Sequence, residues 1–325
     1  MRRLLALSIL SCAVGCADTS DSEDTLDGSA DTTGADVTGG DGDGDGDGDP
    51  SGDGDPTGDG DGDGDGDLPA MPSPTGTCPT TLNGDVEFAP AGIPPRSVRI
   101  LISEEAGTLD GPVVFYWHGT GSSPDEATYG LSSETVQEIL AQGGAVVAPY
   151  SDPGAGTFPW YLVTGSKEDD LILADEVLGC LHETVGMDRA RIHSIGMSAG
   201  GLQTTQMSFR RSNYIASVAT YSGGLIFTTD PPTPEPDNKF AAMIFHGGPE
   251  DIVYISFQDA SEAYLDAMLA RDQFAFICDH GNGHTIPADA RESVWDFFQT
   301  HTWNTVPSPY TDALPAGYPS YCALP

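Results

Sequence analysis

The chain has 325 residues and carries 12 Lys and Arg against 50 Asp and Glu, which gives a formal net charge of −38 at pH 7. Residues 17–77 hold 19 of the acidic residues and no basic one, and from Cys78 onward 31 acidic residues still face 10 basic ones. Binding to nucleic acid or to anionic lipid through basic patches requires Lys and Arg, so we expect neither partner. The 248 residues from Cys78 to Pro325 are enough for one large domain.

Residues 1–16 have the pattern of an export signal. Arg2 and Arg3 precede the apolar run Leu4–Leu10, which is too short to span a bilayer. The tetrapeptide at 13–16 resembles the bacterial lipobox, which predicts lipidation of Cys16 and a membrane attachment through that lipid alone. Cys12 ends a second possible box, and an ordinary cleaved signal is the alternative. The pattern therefore predicts an exported protein, held at the outer membrane or cell surface if it is lipidated and secreted otherwise.

Residues 17–77 predict a disordered, Asp/Gly-rich linker. Asp and Gly alternate through 41–49 and 59–67, so like charges repel and little apolar surface is available for burial. The run from Asp41 copies the start of a calcium-binding EF-hand loop, but the twelfth position, which needs a bidentate acid, is Gly52. We expect a tether and no built metal site.

From Cys78 onward, short apolar runs alternate with longer helical patterns. The strand-like runs are Val98–Ser103, Val113–Trp117, Ala145–Tyr150, Ile192–Gly196, Ile215–Tyr221, Phe240–His246 and Phe274–Asp279. The helical patterns are Ser132–Gln142, Glu168–Glu183, Ala199–Arg211, Ser256–Arg271 and Ala288–Thr300. This alternation predicts an α/β fold with a mostly parallel sheet covered by helices on both faces over 78–325, and catalytic residues gather at the carboxyl ends of such strands.

Residues 196–200, Gly-Met-Ser-Ala-Gly, match the pattern G-x-S-x-G between a predicted strand and a predicted helix. The strand must turn into the helix within two residues, which holds Ser198 in a strained conformation at a helix N-terminus that favours developing negative charge. This context predicts that Ser198 is a nucleophile; a Gly/Ser-rich turn without chemistry is the alternative.

A serine nucleophile needs a base, and the base needs an orienting acid. Asp251 follows the strand Phe240–His246 and is the predicted acid, with Glu250 as the neighbouring alternative. His284 lies in the Gly-rich loop after the strand Phe274–Asp279 and is the predicted base, with His280 as the alternative. The order Ser, Asp, His along the chain is that of α/β-hydrolases.

Two backbone amides are predicted to form an oxyanion hole. One belongs to Ala199, next to the nucleophile, and the other to Thr120, in the loop that follows the third strand. We expect His118, in the same loop, to shape it. Trp160 and Tyr161 follow a Gly-rich stretch, and we expect them either to form a wall of the substrate cleft or to pack in the core.

These motifs together resemble a family of secreted esterases that includes polyhydroxybutyrate depolymerases, feruloyl esterases and acetyl xylan esterases. The resemblance covers roughly residues 78–300 and depends on His118-Gly119, on residues 188–192, on residues 196–201, on His246-Gly247 before Asp251, and on residues 283–287. It implies the α/β-hydrolase fold, the triad Ser198, Asp251 and His284, and no cofactor. The Pro-rich segment 231–236 stands where a large lid would be, so no such lid is expected.

Four cysteines outside the signal suggest two disulfides in an oxidising compartment. In the fold that the resemblance implies, the helix with Cys180 and the strand with Cys278 lie on opposite halves of the sheet, which disfavours a bond between them. Cys78–Cys180 with Cys278–Cys322 is therefore the preferred pairing, and Cys78–Cys322 stays open.

The leading functional hypothesis is a carboxylic-ester hydrolase that forms an acyl-serine intermediate on a polyester, a feruloyl or acetyl ester, or a small soluble ester. A serine peptidase of the prolyl-oligopeptidase type shares the order of the triad, but such enzymes usually carry a large propeller ahead of the catalytic domain. A non-catalytic surface binding protein on a hydrolase fold is the third hypothesis. The complete Ser, Asp and His set disfavours it.

Overall fold

A computed structural model of the chain describes residues 68–162, 167–226 and 238–325, which all belong to one compact unit. The predicted signal, both lipidation candidates, most of the predicted linker and the Pro-rich segment 231–236 lie outside these residues. No helix within the described residues is both long and apolar enough to cross a membrane.

The strands include every run that the sequence predicts, with ends shifted by at most two residues. In chain order they are β1 (Gly84–Phe88), β2 (Arg96–Ile102), β3 (Val113–Trp117), β4 (Ala145–Pro149), β5 (Ile192–Met197), β6 (Ser217–Tyr221), β7 (Ala241–His246), β8 (Ile252–Val253), β9 (Ile255–Ser256), β10 (Ala275–Asp279) and β11 (Cys322–Ala323).

The helices also follow the predicted patterns, with two short additions ahead of the first predicted one. They are α1 (Ala106–Leu109), α2 (Glu126–Leu131), α3 (Ser133–Ala141), α4 (Asp169–Thr184), α5 (Ala199–Arg210), α6 (Phe257–Leu269) and α7 (Arg291–Thr300). The last predicted helix begins later than expected because residues Ala288–Ala290 form a separate 3-10 turn.

In the described part of the chain, nine strands form one sheet in the order β1-β2-β4-β3-β5-β6-β7-β10-β11. The six strands from β4 to β10 in this order run parallel, while β1, β2 and β11 are antiparallel to their neighbours. The mostly parallel sheet predicted from the sequence is thus confirmed. Because β5, β6, β7 and β10 are parallel and adjacent, their carboxyl ends meet along one edge of the sheet.

The sheet has a hydrophobic core on each face. Alternate residues of β3 divide between the cores: Val113, Phe115 and Trp117 belong to the first, and Val114 and Tyr116 to the second. Helices α4, α5 and α6 cover the first core, and α2, α3 and α7 cover the second. Strands covered on both faces must be apolar throughout, which is why β3, β4 and β7 have no polar alternation before their last residue.

Residues 71–77, predicted as part of the linker, are packed on the domain. Met71 contacts the first hydrophobic core. The buried carboxylate of Glu176 on α4 accepts hydrogen bonds from the amide and hydroxyl of Thr75, at 2.7 and 2.8 Å, and from the amide of Gly76, at 2.8 Å. The predicted linker therefore extends too far along the chain, since residues before 77 already contact the domain. The sequence around Thr75 does not reveal this, because the acceptors belong to a carboxylate of α4.

Two disulfides join the four cysteines of the described residues, and they have the preferred pairing. Cys78 is bonded to Cys180 of α4, and Cys278 of β10 is bonded to Cys322 of β11. The second bond holds the short edge strand β11 against β10, where Cys278 and Cys322 are also register partners.

We expect Cys78→Ala with Cys180→Ala to lower the free energy of unfolding by about 5 kcal/mol and Cys278→Ala with Cys322→Ala by about 4 kcal/mol. The bonds close loops with sequence separations of 102 and 44, and a longer loop loses more entropy in the unfolded chain. Urea unfolding of both variants tests this, and a loss below about 1 kcal/mol for either pair would contradict the entropic origin.

Candidate active site

Ser198 lies in a sharp turn between β5 and α5. Its backbone has φ +59° and ψ −120°, a conformation that a residue with a side chain rarely adopts. The Ser198 amide donates to the carbonyl of Tyr221 on the neighbouring strand β6 at 2.9 Å, and its carbonyl accepts from the amide of Leu202 at 2.9 Å. The turn is thus tied to the sheet on one side and to the helix on the other, and the Ser198 side chain stays partly exposed.

The first turn of α5 passes directly over the end of β3. A Cβ atom built on Gly200 would lie 1.7 Å from the carbonyl oxygen of Trp117, so only glycine fits there. This close approach also brings the loop after β3 to the turn at Ser198. A Cβ built on Gly119 would lie 3.5 Å from the Cβ of Ser198.

Asp251 is fully buried at the end of the turn that follows β7. Its Oδ2 accepts hydrogen bonds from the hydroxyl of Ser222 at 2.8 Å and from the amide of Gly247 at 2.9 Å. Burial acts to raise the pKa of Asp251, but the hydrogen bonds from His284, Gly247 and Ser222 outweigh it and lower the pKa below its usual value. The carboxylate is therefore ionised at neutral pH.

His284 contacts the other oxygen of the same carboxylate. Its Nδ1 lies 2.6 Å from Asp251 Oδ1, and its ring packs on Phe257 at a centroid distance of 4.7 Å. Because an ionised carboxylate only accepts, Nδ1 carries the proton and Nε2 is left as the basic nitrogen. The Gly-rich loop can reach Asp251 because Gly283 donates to the carbonyl of Gly247 at 2.9 Å, where a Cβ on Gly247 would be only 1.9 Å from the Gly283 oxygen.

Glu250 and His280, the alternatives for the acid and the base, do not take part in the contact between Asp251 and His284. Glu250 is exposed, one residue before the buried Asp251. His280 is buried, its Nδ1 accepts from the amide of Asn282, and burial lowers its pKa. The Asp251 carboxylate that could orient a base contacts His284 and not His280.

Ser198 Oγ and His284 Nε2 are not hydrogen-bonded in this structure. Such bonds are often long in an enzyme without substrate and shorten when the substrate is bound. Within residues 68–162, 167–226 and 238–325, no three His, Cys, Asp or Glu side chains are grouped so that they could hold a metal ion.

The loop of residues 118–122 lies beside Ser198 and has a defined backbone orientation. The carbonyl of Gly119 accepts from the amide of Ser122 at 3.1 Å and lies 2.9 Å from His118 Nδ1. Since the peptide bond is trans, the Thr120 N–H points away from that carbonyl, and it donates to no acceptor among the described residues. His118 is buried, and burial lowers its pKa, so the neutral ring serves as a donor that shapes the loop.

The prediction that Trp160 walls the substrate cleft is wrong in this structure. Only 1% of Trp160 is exposed, and its ring packs edge-on against Trp117 at a centroid distance of 5.0 Å. The indole belongs to the first hydrophobic core. Tyr161 is partly exposed, and its contribution to substrate binding stays a prediction.

Ser222, which follows β6, is not among the residues predicted from the sequence. Ser222 is buried in a left-handed conformation with φ +49°, and it holds the Asp251 carboxylate by the hydrogen bond described above. The available signal was the position: a polar residue before two glycines, directly after the strand Ile215–Tyr221, is at the same sheet edge as Ser198.

Comparisons with solved structures show the same architecture. A complex of pNPB with a serine-to-alanine variant of pOPH aligns with a TM-score of 0.62 at 16% identity, covering 77% of this chain and 96% of that one. A thermostable esterase aligns with a TM-score of 0.53 at 15% identity over 67% of this chain and 62% of that one. A ferulic acid esterase aligns with a TM-score of 0.50 at 14% identity, covering 66% of this chain and 94% of that one.

The chain has the α/β-hydrolase fold. Two of these neighbours are esterases, one of them a ferulic acid esterase, and at 14–15% identity they show the fold of this chain alone. No protein-family model matches the chain, and no curated protein matches it. In the α/β-hydrolase fold, the turn after β5, the loop after β7 and the loop after β10 are where a nucleophile, an acid and a base are expected.

Ser222→Ala should lower the free energy of unfolding at neutral pH by about 1.5–3 kcal/mol, because the buried carboxylate loses one charge-assisted hydrogen bond. The folded-state pKa of Asp251 is lowered, so its ionisation stabilises the fold above the unfolded pKa, near 4, and that contribution disappears as the pH falls through the folded pKa. The difference from the unchanged protein should therefore be largest at neutral pH and shrink in acid.

Thermal unfolding at several pH values measures this difference. Ser261→Ala is the matched control, because the buried Ser261 hydroxyl donates to the neutral carbonyls of Gly223 and Phe245. A pH-independent loss in both variants would contradict the assignment of Ser222 to the charged form of Asp251.

Proposed function

We propose that the protein is a serine carboxylic-ester hydrolase with Ser198 as nucleophile, His284 as base and Asp251 as orienting acid. The observation that carries this proposal is the buried, ionised Asp251 bonded to His284 on the sheet edge where the strained Ser198 turn also lies. A strained serine with free hydroxyl, a basic imidazole nitrogen and a fixed carboxylate is the arrangement that acyl transfer requires.

In the proposed reaction, Ser198 Oγ attacks the ester carbonyl carbon while its proton passes to His284 Nε2. Asp251 stabilises the resulting imidazolium, and the amides of Ala199 and Thr120 donate to the oxyanion of the tetrahedral intermediate. Collapse breaks the bond to the alkoxy oxygen, which takes the proton from His284 and leaves as the alcohol. Water, deprotonated by His284, then attacks the acyl carbon; the bond to Ser198 Oγ breaks, Oγ takes the proton back from His284, and the acid leaves.

An apolar surface beside the site favours a neutral, apolar ester as substrate. The hairpin β8–β9 begins directly after Asp251 and exposes Ile252, at 62%, and Tyr254, at 86%. The ring of Tyr254 contacts that of Phe158 at a centroid distance of 6.4 Å, in the loop that leads to Trp160. Exposed apolar side chains grouped next to a reactive centre are typical of a binding surface, and among the candidate substrates they fit a polyester or an aromatic ester such as a feruloyl ester.

Ser198→Ala should reduce hydrolysis of p-nitrophenyl esters, methyl ferulate and a suspended polyester by at least about a thousandfold, because the alanine cannot form the acyl intermediate. A fluorophosphonate should label the unchanged protein at Ser198, as measured by mass spectrometry of the tryptic peptide. Ser133→Ala, at an exposed serine of α3, is the matched control and should keep full activity and labelling.

Asp251→Asn separates the proposed acid from its neighbour, since it should lower kcat by about 10⁴ while Glu250→Gln retains activity. Hydrolysis of peptides but not of esters would favour the serine peptidase. Inactivity of the unchanged protein on all esters and peptides, with no phosphonate adduct, would refute the hydrolase and favour a surface binding protein.

We further propose that the protein is exported, with residues 1–16 as signal and lipidated Cys16 as the anchor, and that residues from 17 into the Asp/Gly repeats act as the tether of the catalytic domain. Two disulfides support export, because such bonds persist in oxidising compartments. A tether of this kind would let an anchored enzyme act on a substrate too large to diffuse to it.

Metabolic labelling with a radioactive or alkyne-bearing fatty acid tests the anchor in a bacterial host that processes lipoproteins. Cys16→Ser should abolish incorporation and release the protein from the membrane fraction, whereas Cys12→Ser should leave both unchanged. Incorporation that persists in Cys16→Ser and disappears in Cys12→Ser would move the lipidation site to the second box.

A further inference from the structure

We infer that Trp160 and Glu126 are positioning residues for the oxyanion donor at Thr120, an inference that rests on the proposed hydrolase function. The indole Nε1 of Trp160 donates to the carbonyl of His118 at 3.0 Å, in a buried contact across 42 residues of sequence. The carboxylate of Glu126 accepts from the amide of Gly119 at 3.0 Å. Both ends of the His118–Gly119 peptide are thereby fixed.

The next peptide, between Gly119 and Thr120, is fixed through its carbonyl by Ser122 and His118. Two consecutive peptide planes therefore have defined orientations, and the second one carries the N–H that is free to meet an oxyanion. Glycine at 119 leaves the bonds between these planes easy to rotate, so the hydrogen bonds, and not the local backbone, set the direction of the Thr120 N–H.

Trp160 itself is held by a buried ion pair. Arg96 of β2 donates to Asp170 at 2.6 Å and to the carbonyl of Tyr150 at 2.8 Å, and its guanidinium carbon lies 5.9 Å from the centre of the Trp160 ring. The other oxygen of Asp170 accepts from the amide of Tyr161 at 2.7 Å, directly after the tryptophan. Arg96 and Asp170 are both more than nine-tenths buried, so this anchor has little freedom to move.

The arrangement differs from ordinary core packing of an aromatic side chain. A phenylalanine would fill most of the same space between Trp117, His118 and Arg96 but could not donate to the His118 carbonyl. Loss of the indole N–H should therefore change the orientation of the loop of residues 118–122, while the rest of the ring contributes packing.

Trp160→Phe should lower kcat for p-nitrophenyl butyrate by about 10-fold to 100-fold and change KM by less than about threefold, because the donor is needed for the charge in the transition state and not for the bound ester. Trp295→Phe is the matched control: Trp295 is also buried and donates its Nε1–H to Glu138 at 2.9 Å, but on the opposite face of the sheet.

The hydrogen bond between the Gly119 amide and Glu126 gives an independent pair of variants. Glu126→Ala removes the acceptor of the Gly119 amide and should lower kcat in the same way, whereas Glu126→Gln keeps an acceptor oxygen and should lose less. This pair keeps the inference testable if Trp160→Phe does not fold.

Amide hydrogen exchange of the peptide that spans residues 117–121 provides a readout that does not depend on activity. Exchange at Gly119 should accelerate in Trp160→Phe and in Glu126→Ala and stay unchanged in Trp295→Phe. Unchanged exchange and unchanged kcat in Trp160→Phe would overturn the inference, as would a rise in KM alone or an equal loss in Trp295→Phe. If the unchanged protein hydrolyses no ester while the exchange pattern holds, the proposed function fails and the positioning of the loop stands.

Discussion

The geometry of the site depends on how closely α5 approaches the end of β3. The turn at Ser198 must reverse direction within one residue, and the φ of +59° costs about 1–3 kcal/mol. The conformation persists because the Ser198 amide is bonded to Tyr221 and because Gly200 leaves room for the Trp117 carbonyl. The same approach that exposes the serine hydroxyl brings Gly119 against it, so one contact between backbones positions both the proposed nucleophile and the proposed oxyanion loop.

The second requirement is a buried negative charge in a domain that is already strongly acidic. A carboxylate without exposure would ordinarily take up a proton, since burial penalises its charged form. Asp251 remains ionised because three donors lie on its two oxygens, from Ser222, Gly247 and His284. Direct hydrogen bonds outweigh the remote acidic residues, whose exposed charges are screened over roughly 10 Å of salt solution. The cation that balances the acid can therefore be the imidazolium that forms during the proposed reaction.

The sequence was sufficient to predict the elements whose burial pattern is regular and the residues whose chemistry depends on their order along the chain. Buried parallel strands read as apolar runs, and the turn at Ser198 has a spacing that few other structures need. The sequence was insufficient where a contact joins distant segments. The sequence around Trp160 is compatible with a cleft wall and with core packing, and only the contact of its side chain with the His118 carbonyl distinguishes the two positions. Ser222 and Glu176 were missed for the same reason, because their partners lie elsewhere in the chain.

Residues directly after β5, β6 and β10 continue the hydrogen-bond ladder of the sheet beyond the strand ends, and two of them, Ser198 and Ser222, belong to the candidate site. The amide of Ser198 donates to the carbonyl of Tyr221 in β6, and the amide of Ser222 donates to that of Phe245 in β7. The amide of His280, after β10, donates to the carbonyl of His246 in β7, so each bond joins neighbouring strands of the sheet. Side chains on such extensions inherit the rigidity of the sheet, which loops of the same length would not provide. The left-handed conformations of Ser198 and Ser222 release their side chains from the ladder while their amides stay in it. Strain at two backbone positions thereby places the proposed nucleophile and the Ser222 hydroxyl that holds Asp251 at a spacing set by the distance between strands.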